Sequence, residues 1–444
     1  MPQSAVAFVM IDLSSSIETA RHTETIAVLG RVSQVIGMVI ESQGPGIPVG
    51  SMCEVDTFKG ASRIPAEVVG FREGKVLLMP LGEMRGVEPG STIRMVDGGA
   101  RVAVGAKLLG RIVDGMGRPV DGKGPLQVEQ HYPLYAEPLN PMQRERILEP
   151  IDVGVRAING LLTLGKGQRV GIMAGSGVGK STLLGMIAKN TAADVSVIAL
   201  IGERGRELKD FIERDLGPEG LARSVVIVAT SDQPPLVRMR GAYLAMSVAE
   251  YFRDQSRDVI LMMDSVTRFA MSSREVGLAI GEPPTSRGYT PSVFSQLPKL
   301  LERAGTCEGK GSITGIYTVL VEGDDMNEPI GDAVRSIVDG HIVLDRDLAN
   351  MGHYPSIEVL ASVSRCMSDV VSAEQARKAK ELLDVLATYR RSEDLINIGA
   401  YAGGSNPKID RAINLIDAIN DYLRQSVDSK APMEESVRQL LTLM

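Results

Sequence analysis

The pattern of apolar and polar positions changes texture three times along this chain. Residues 1–25 form a leader rich in Ser and Thr, with one candidate helix around Ser16 to Arg21. From about Ile26, short apolar runs alternate with Gly and Pro turns. Arg31 to Ile40 is followed by Gly44-Pro45-Gly46, then by Glu67 to Phe71 and Lys75 to Pro80. Short strands at such regular spacing predict a small β-barrel ending near Met95, assigned to residues 26–97.

Residues 98–150 read as a connecting region. Gly110 to Gly117 is dense in turn formers, and Pro133, Pro138, Pro141 and Pro150 forbid a long helix. From Ile151 the apolar runs lengthen. Arg169–Ala174, Val195–Ile201, Val225–Ala229, Val259–Asp264 and Ile313–Leu320 read as buried strands. Helical stretches lie between them: a Gly-rich loop leading into a helix through Lys189, then Glu207–Leu216 and Gly241–Asp254. This alternation predicts an α/β domain over 98–372, a parallel sheet with helices on both faces. After Ser372 the strand signal ends. Ala373–Arg390, Lys408–Gln425 and Met433–Leu443 show helical periodicity, predicting a small helical domain over 373–444.

Composition narrows the class. A chain of 444 residues exceeds one ordinary core, and 44% hydrophobic with 23% charged residues is typical of a globular protein. The net charge of −7 does not favour nucleic acid. Before residue 100 the only aromatics are Phe8, Phe58 and Phe71, a poor stacking platform for single strands. Cys53, Cys307 and Cys366 lie far apart, and His22, His131, His341 and His353 show no metal-site spacing. No apolar run is long enough for a membrane span, and Met1 to Leu13 lacks the basic start of a signal peptide. The expected compartment is the cytoplasm.

The chemistry concentrates in three places. Ala174-Gly175-Ser176-Gly177-Val178-Gly179-Lys180-Ser181 stands between a strand and a helix. Backbone N–H groups of such a loop converge on phosphate oxygens, and the helix N-terminus adds its dipole. Gly175 to Thr182 are the expected ATP contacts: Lys180 reaches the β- and γ-phosphates, and Ser181 ligates Mg²⁺. Ala174 replaces the usual first Gly. Asp264 ends an apolar strand about 80 residues on, where an acid holds Mg²⁺ through water. Gly202-Glu203-Arg204-Gly205-Arg206-Glu207 follows Val195–Ile201. A carboxylate there can polarise the attacking water; Glu203 is nearest the strand end and Glu207 is the competitor.

Together with Asp264-Ser265-Val266-Thr267-Arg268, Tyr354-Pro355-Ser356-Ile357 and Ser362-Val363-Ser364-Arg365, these motifs resemble the rotary ATP synthase subunit family. Gly70 to Leu81, Ile280-Gly281-Glu282-Pro283-Pro284, Val321 to Asp325, Asp339 to Leu344 and Asn397 to Tyr401 are similar to its flagellar type III export ATPase branch. The resemblance spans about residues 26–425 and includes Ala174. It implies a RecA-like P-loop core, with Glu203 as catalytic carboxylate and Arg204 as a basic neighbour of the γ-phosphate. It also implies that Tyr354 packs on adenine and that Arg365 is an arginine finger reaching the next subunit. The chain departs from the family pattern at Glu358, where Asp, Asn or His is usual.

A finger supplied in trans by one kind of chain requires a homo-oligomer, expected as a hexamer. The resemblance further implies a stator-like negative regulator at residues 1–25, a stalk-like coiled-coil protein in the pore, and the Leu278–Tyr289 loop facing that pore. Export chaperone–substrate complexes and a membrane export gate complete the implied partners, placing the ring peripherally at the inner membrane. Competing readings are a virulence-type secretion ATPase, a hexameric RNA translocase, and a non-catalytic ring subunit, which Glu203 argues against.

Overall fold

The computed structural model describes residues 29–60, 62–97, 100–321, 325 and 328–444. The 1–25 leader lies outside the described residues. The chain divides into two compact units, one ending at Gly98 and the other beginning at Gly99.

The first unit is a closed antiparallel barrel. Its strands are β1 (Leu29–Ile36), β2 (Val39–Gln43), β3 (Met52–Asp56), β4 (Arg63–Arg72), β5 (Lys75–Pro80) and β6 (Thr92–Asp97), in the order β1-β2-β5-β4-β3-β6. Strand alternation sends Val32, Ile40, Val55, Ala66, Val68, Val76, Leu78 and Ile93 inward. The β4–β5 hairpin turns on Glu73-Gly74, both at positive φ (50° and 74°), the backbone that suits a tight two-residue hairpin. Glu41 is buried on β2 and accepts hydrogen bonds from Lys75 Nζ and Arg72 Nη2, both at 2.8 Å, and Gln34 Nε2 at 2.7 Å. Those donors, Lys75 first, hold its carboxyl down at about 2.

In the second unit, β7 (Arg101–Val104) pairs with β9 (Gln130–Pro133), and β10 (Pro150–Ile151) with β11 (Leu164–Gly165). The main sheet has eight strands. They are β8 (Arg111–Asp114), β12 (Arg169–Ala174), β13 (Val195–Ile201), β14 (Ser224–Ala229), β15 (Val259–Asp264), β16 (Ile313–Leu320), β17 (Gly340–Leu344) and β18 (Val363–Ser364). Their order is β18-β17-β12-β16-β15-β13-β14-β8, all parallel except β18.

β8 corrects the reading of residues 98–150 as a connector. Four residues are too few to show a period among so many turn formers. Asp121 fixes the strand, accepting from Arg111 Nε at 2.7 Å and from the Ile112 N–H at 3.1 Å. Along β13, residues 195, 197, 199 and 201 face one apolar core and residues 198 and 200 face the other. Pro235–Asp254, almost wholly buried, and Val266–Ala279 cover the first face. Lys180–Asn190 and the C-terminal helices Ala373–Asn397, Pro407–Leu423 and Met433–Leu443 pack into the second core. The expected Glu207–Leu216 helix is two pieces, Gly205–Asp210 and a wider π-type turn, Phe211–Leu216. Pro235 starts its helix six residues before the expected Gly241, since Pro fits the first helical turn.

Candidate active site

Parallel strands send their C-terminal ends to one edge of the sheet, and register decides what meets there. Ala174 pairs with Leu320, and Asp264 with Leu200, two residues before Gly202. The loop after β12, the Asp ending β15 and the Glu just past β13 therefore share one edge.

Lys180 opens its helix and points between two carboxylates. Its Nζ contacts Asp264 Oδ1 and lies 3.5 Å from Glu203 Oε1. Thr318 Oγ1, on β16, is 2.7 Å from the same Asp264 oxygen and orients it. Glu203 is only 14% exposed. Burial first, and then the nearby Asp264 and a hydrogen bond with Glu207, raise its carboxyl above the usual range, while Lys180 and Arg268 oppose the rise. Glu207 is much more open at 54% exposed, and Arg204, at 81%, turns toward it at 3.6 Å rather than toward Lys180. The motif thus divides: Glu203 faces the Lys180 cluster, and Arg204 faces solvent.

The loop itself is held by its neighbours. Gly177 and Gly179 adopt φ of 79° and 90°, conformations that a side chain would strain. Ser356 Oγ donates to Val178 O at 2.6 Å, and Arg346 Nη1 to Ser176 O at 3.2 Å. Tyr354 packs beside the loop, its ring 3.5 Å from where a Cβ on Gly179 would stand. Its carbonyl accepts from the Gln425 N–H at 2.9 Å, tying it to the C-terminal helices. Gly175 and Val178 are buried, whereas Ser176, Gly177 and Ser181 are exposed and Thr182 is half-buried.

Four supporting residues had no place in the sequence-based site: Thr318, Arg268, Arg346 and Ser356. Arg268 lies inside the Asp264–Arg268 motif, so its position was readable though its role was not. It packs over Gly202, where a Cβ would meet its side chain at 2.8 Å, and its Nε is buried without a hydrogen-bond partner among the described residues. Ser356 likewise lies inside the Tyr354–Ile357 motif, while Thr318 and Arg346 come from distant segments that only strand register and loop packing bring in.

The carboxylates of Glu203 and Asp264 gather at Lys180, and the next residue, Ser181, is exposed. Hard oxygen donors of this kind fit Mg²⁺. Among the described residues no group of three or more His, Cys, Asp or Glu forms a metal cage. Ser181 and Asp264 would therefore hold the ion with water and phosphate oxygens completing its shell.

Arg365 stands elsewhere. β18 pairs with the start of β17, Ser364 against Gly340, and the Arg365 N–H donates to Asp339 O at 3.0 Å. That is the end of the sheet opposite the phosphate loop, level with Arg169, so five strand steps of about 3.3 Å separate it from Ala174. Its side chain is exposed and makes no hydrogen bond or ion pair among the described residues.

Comparison with known proteins identifies the domains. The ATP synthase alpha/beta nucleotide-binding domain model matches residues 154–364, and the beta-barrel domain model of the same family matches residues 32–96. The C-terminal domain model of EscN-type type III secretion ATPases matches residues 371–442. A flagellum-specific ATP synthase of Bacillus subtilis is 53% identical over 437 residues, covering 97% of this chain and 98% of its own. The chain belongs to the ATP synthase alpha/beta family.

Within that family it is also 48% identical to a type 3 secretion system ATPase of Xanthomonas euvesicatoria, over 95% of this chain and 96% of that one. The assembled ATPase EscN of the enteropathogenic E. coli type III secretion system superposes with a TM-score of 0.89 at 46% identity. The match covers 93% of this chain and 99% of EscN. EscN has also been solved in complex with its central stalk EscO. The barrel, the parallel-sheet core and the helical C-terminal region are thus the three parts of this family. No helix among the described residues is long and apolar enough to cross a membrane.

Proposed function

We propose that this chain is the Mg²⁺-dependent ATP hydrolase of a flagellar protein export apparatus, acting as a homo-hexameric ring that releases or unfolds substrates from their chaperones. The observation that carries the chemistry is the cluster of Lys180, Glu203 and Asp264 at the mouth of the phosphate loop. Gly175 to Thr182 bind the phosphates, and Tyr354 packs on adenine. Bound Mg²⁺ supplies charge neutralisation at the β- and γ-phosphates, held by Ser181 and, through water, Asp264. Glu203 orients and polarises the attacking water, with Arg204 as a basic neighbour of the γ-phosphate. Arg365 completes the site of the next subunit around the ring.

Two features support the trans assignment. Arg365 is exposed and stands at the far end of the sheet from its own Lys180. EscN, similar over almost its whole length, was solved as an assembled ATPase. The EscN–EscO complex likewise supports a stalk-like coiled-coil partner in the pore. The regulator at residues 1–25 and the membrane export gate complete the proposal, with the ring peripheral to the inner membrane.

A virulence-type secretion ATPase is the second reading, favoured by the Xanthomonas euvesicatoria relative. The flagellar reading rests on the higher identity to the Bacillus subtilis protein. Deleting the gene and examining cells by electron microscopy separates them. Loss of filaments with normal growth is the expected result; intact filaments with loss of another secreted set would select the second reading.

A further inference from the structure

The segment from Tyr354 to Arg365 joins the phosphate-loop end of the sheet to its opposite end, and Glu358 stands within it. Its backbone N–H donates to Val343 O at 2.9 Å, on β17. One carboxylate oxygen accepts the Leu360 N–H at 3.1 Å, and the other accepts Arg390 Nη2 at 2.9 Å. Its carbonyl accepts Ser362 Oγ at 2.7 Å, while Ser362 Oγ accepts the Val343 N–H at 2.9 Å. Residues 358–362 are therefore folded as one bonded unit immediately before β18 and Arg365.

Arg390 belongs to a different layer, the C-terminal helix Ala373–Asn397. The joint between the layers is loosely filled beside the pair. A cavity of about 160 Å³ opens there, lined by Glu358, Arg390, His353, Leu386 and Leu423. The His353 ring is buried, and its Nε2 has no hydrogen-bond partner among the described residues. Space without partner atoms forfeits dispersion contacts at this edge of the joint, where the ion pair crosses it, while Leu382, Leu386 and Leu423 pack the helices into the second core. The C-terminal helices thus grip the segment at two points, through Gln425 at Tyr354 and through Arg390 at Glu358.

We propose that the Glu358–Arg390 pair is a positioning device that couples the placement of the C-terminal helices to that of Arg365. This rests on the reading of Arg365 as a finger for the neighbouring site. A shift of the helical layer pulls on Arg390, then on the bonded unit 358–362, and so on β18, which carries Arg365. With Arg390 at 42% and Glu358 at 13% exposed, the pair contributes little to global stability, so turnover is the sensitive readout.

The test uses the full-length assembled protein with Glu358→Gln, Arg390→Ala, the double variant, Arg390→Lys and Arg365→Ala. Turnover, KM, nucleotide affinity and Tm are measured for each. The expected result is that Glu358→Gln and Arg390→Ala each lower kcat about 3- to 10-fold at unchanged KM and Tm. The double variant falls no further than either single change, and Arg390→Lys recovers most of the loss. Single variants within twofold of the parent, effects that multiply in the double, or losses that track a lowered Tm overturn the proposal. Arg365→Ala separates the two readings. If it keeps full turnover, the finger assignment fails; if it is inactive while the pair variants behave normally, only the positioning role fails.

Discussion

Glu203 shows how one residue's surroundings set its chemistry. Burial and a second carboxylate raise its proton affinity, and Lys180 and Arg268 do not cancel the rise. A base must be ionised to work. A raised value means that ionisation requires a higher pH, so the acid limb of kcat/KM, which reports the free enzyme, falls at higher pH than an ordinary Glu would give. Glu203→Gln should keep nucleotide binding, lower turnover by about 10²- to 10⁴-fold and abolish that limb, read from kcat/KM against pH. Retained turnover would move the role to Glu207. Lys180→Ala should instead weaken binding itself, since the loop loses the cation proposed to reach the phosphates; titration calorimetry reads this directly. At this scale the sequence exposed the residues that lie in contiguous motifs. It hid Thr318 and Arg346, which reach the site only through strand register and loop packing, and gave the position of Ser356 without its role.

The elements were legible where burial gives a long, unambiguous pattern. Arg169–Ala174, Val259–Asp264 and Ile313–Leu320 form as strands with the expected ends because each is a mostly apolar, buried run. β8 escaped because four residues carry no period and its order comes from Asp121 rather than from apolar spacing. Polar ties between elements were equally invisible. Arg303 is fully buried, bonded to both oxygens of Glu250 at 2.9 and 2.7 Å, to Leu134 O at 2.7 Å and to Ser247 Oγ at 3.0 Å. It fastens the Pro235–Asp254 helix to the segment after Pro291–Leu301. Arg303→Ala leaves the Glu250 charge buried and unpaired, and should cost about 3–5 kcal/mol in denaturant unfolding. A loss below about 1 kcal/mol would show that water reaches Glu250 and that the tie is not structural.

At the scale of the whole molecule, the residues proposed to make up one site stand at opposite ends of one sheet. Lys180, Glu203 and Asp264 gather at the C-terminal edge of the sheet, and Arg365 stands at the other end. A single copy cannot bring them together, so specific activity should fall on dilution below the assembly concentration and recover on concentrating. The most direct measurement mixes two variants that are inactive alone, Glu203→Gln and Arg365→Ala. In a randomly mixed ring about a quarter of interfaces join an intact Glu203 to an intact Arg365 across neighbouring subunits. The account predicts that mixing and reassembly restore ATP hydrolysis to a comparable fraction of the parent rate. No recovery, in rings shown to contain both variants, would contradict it.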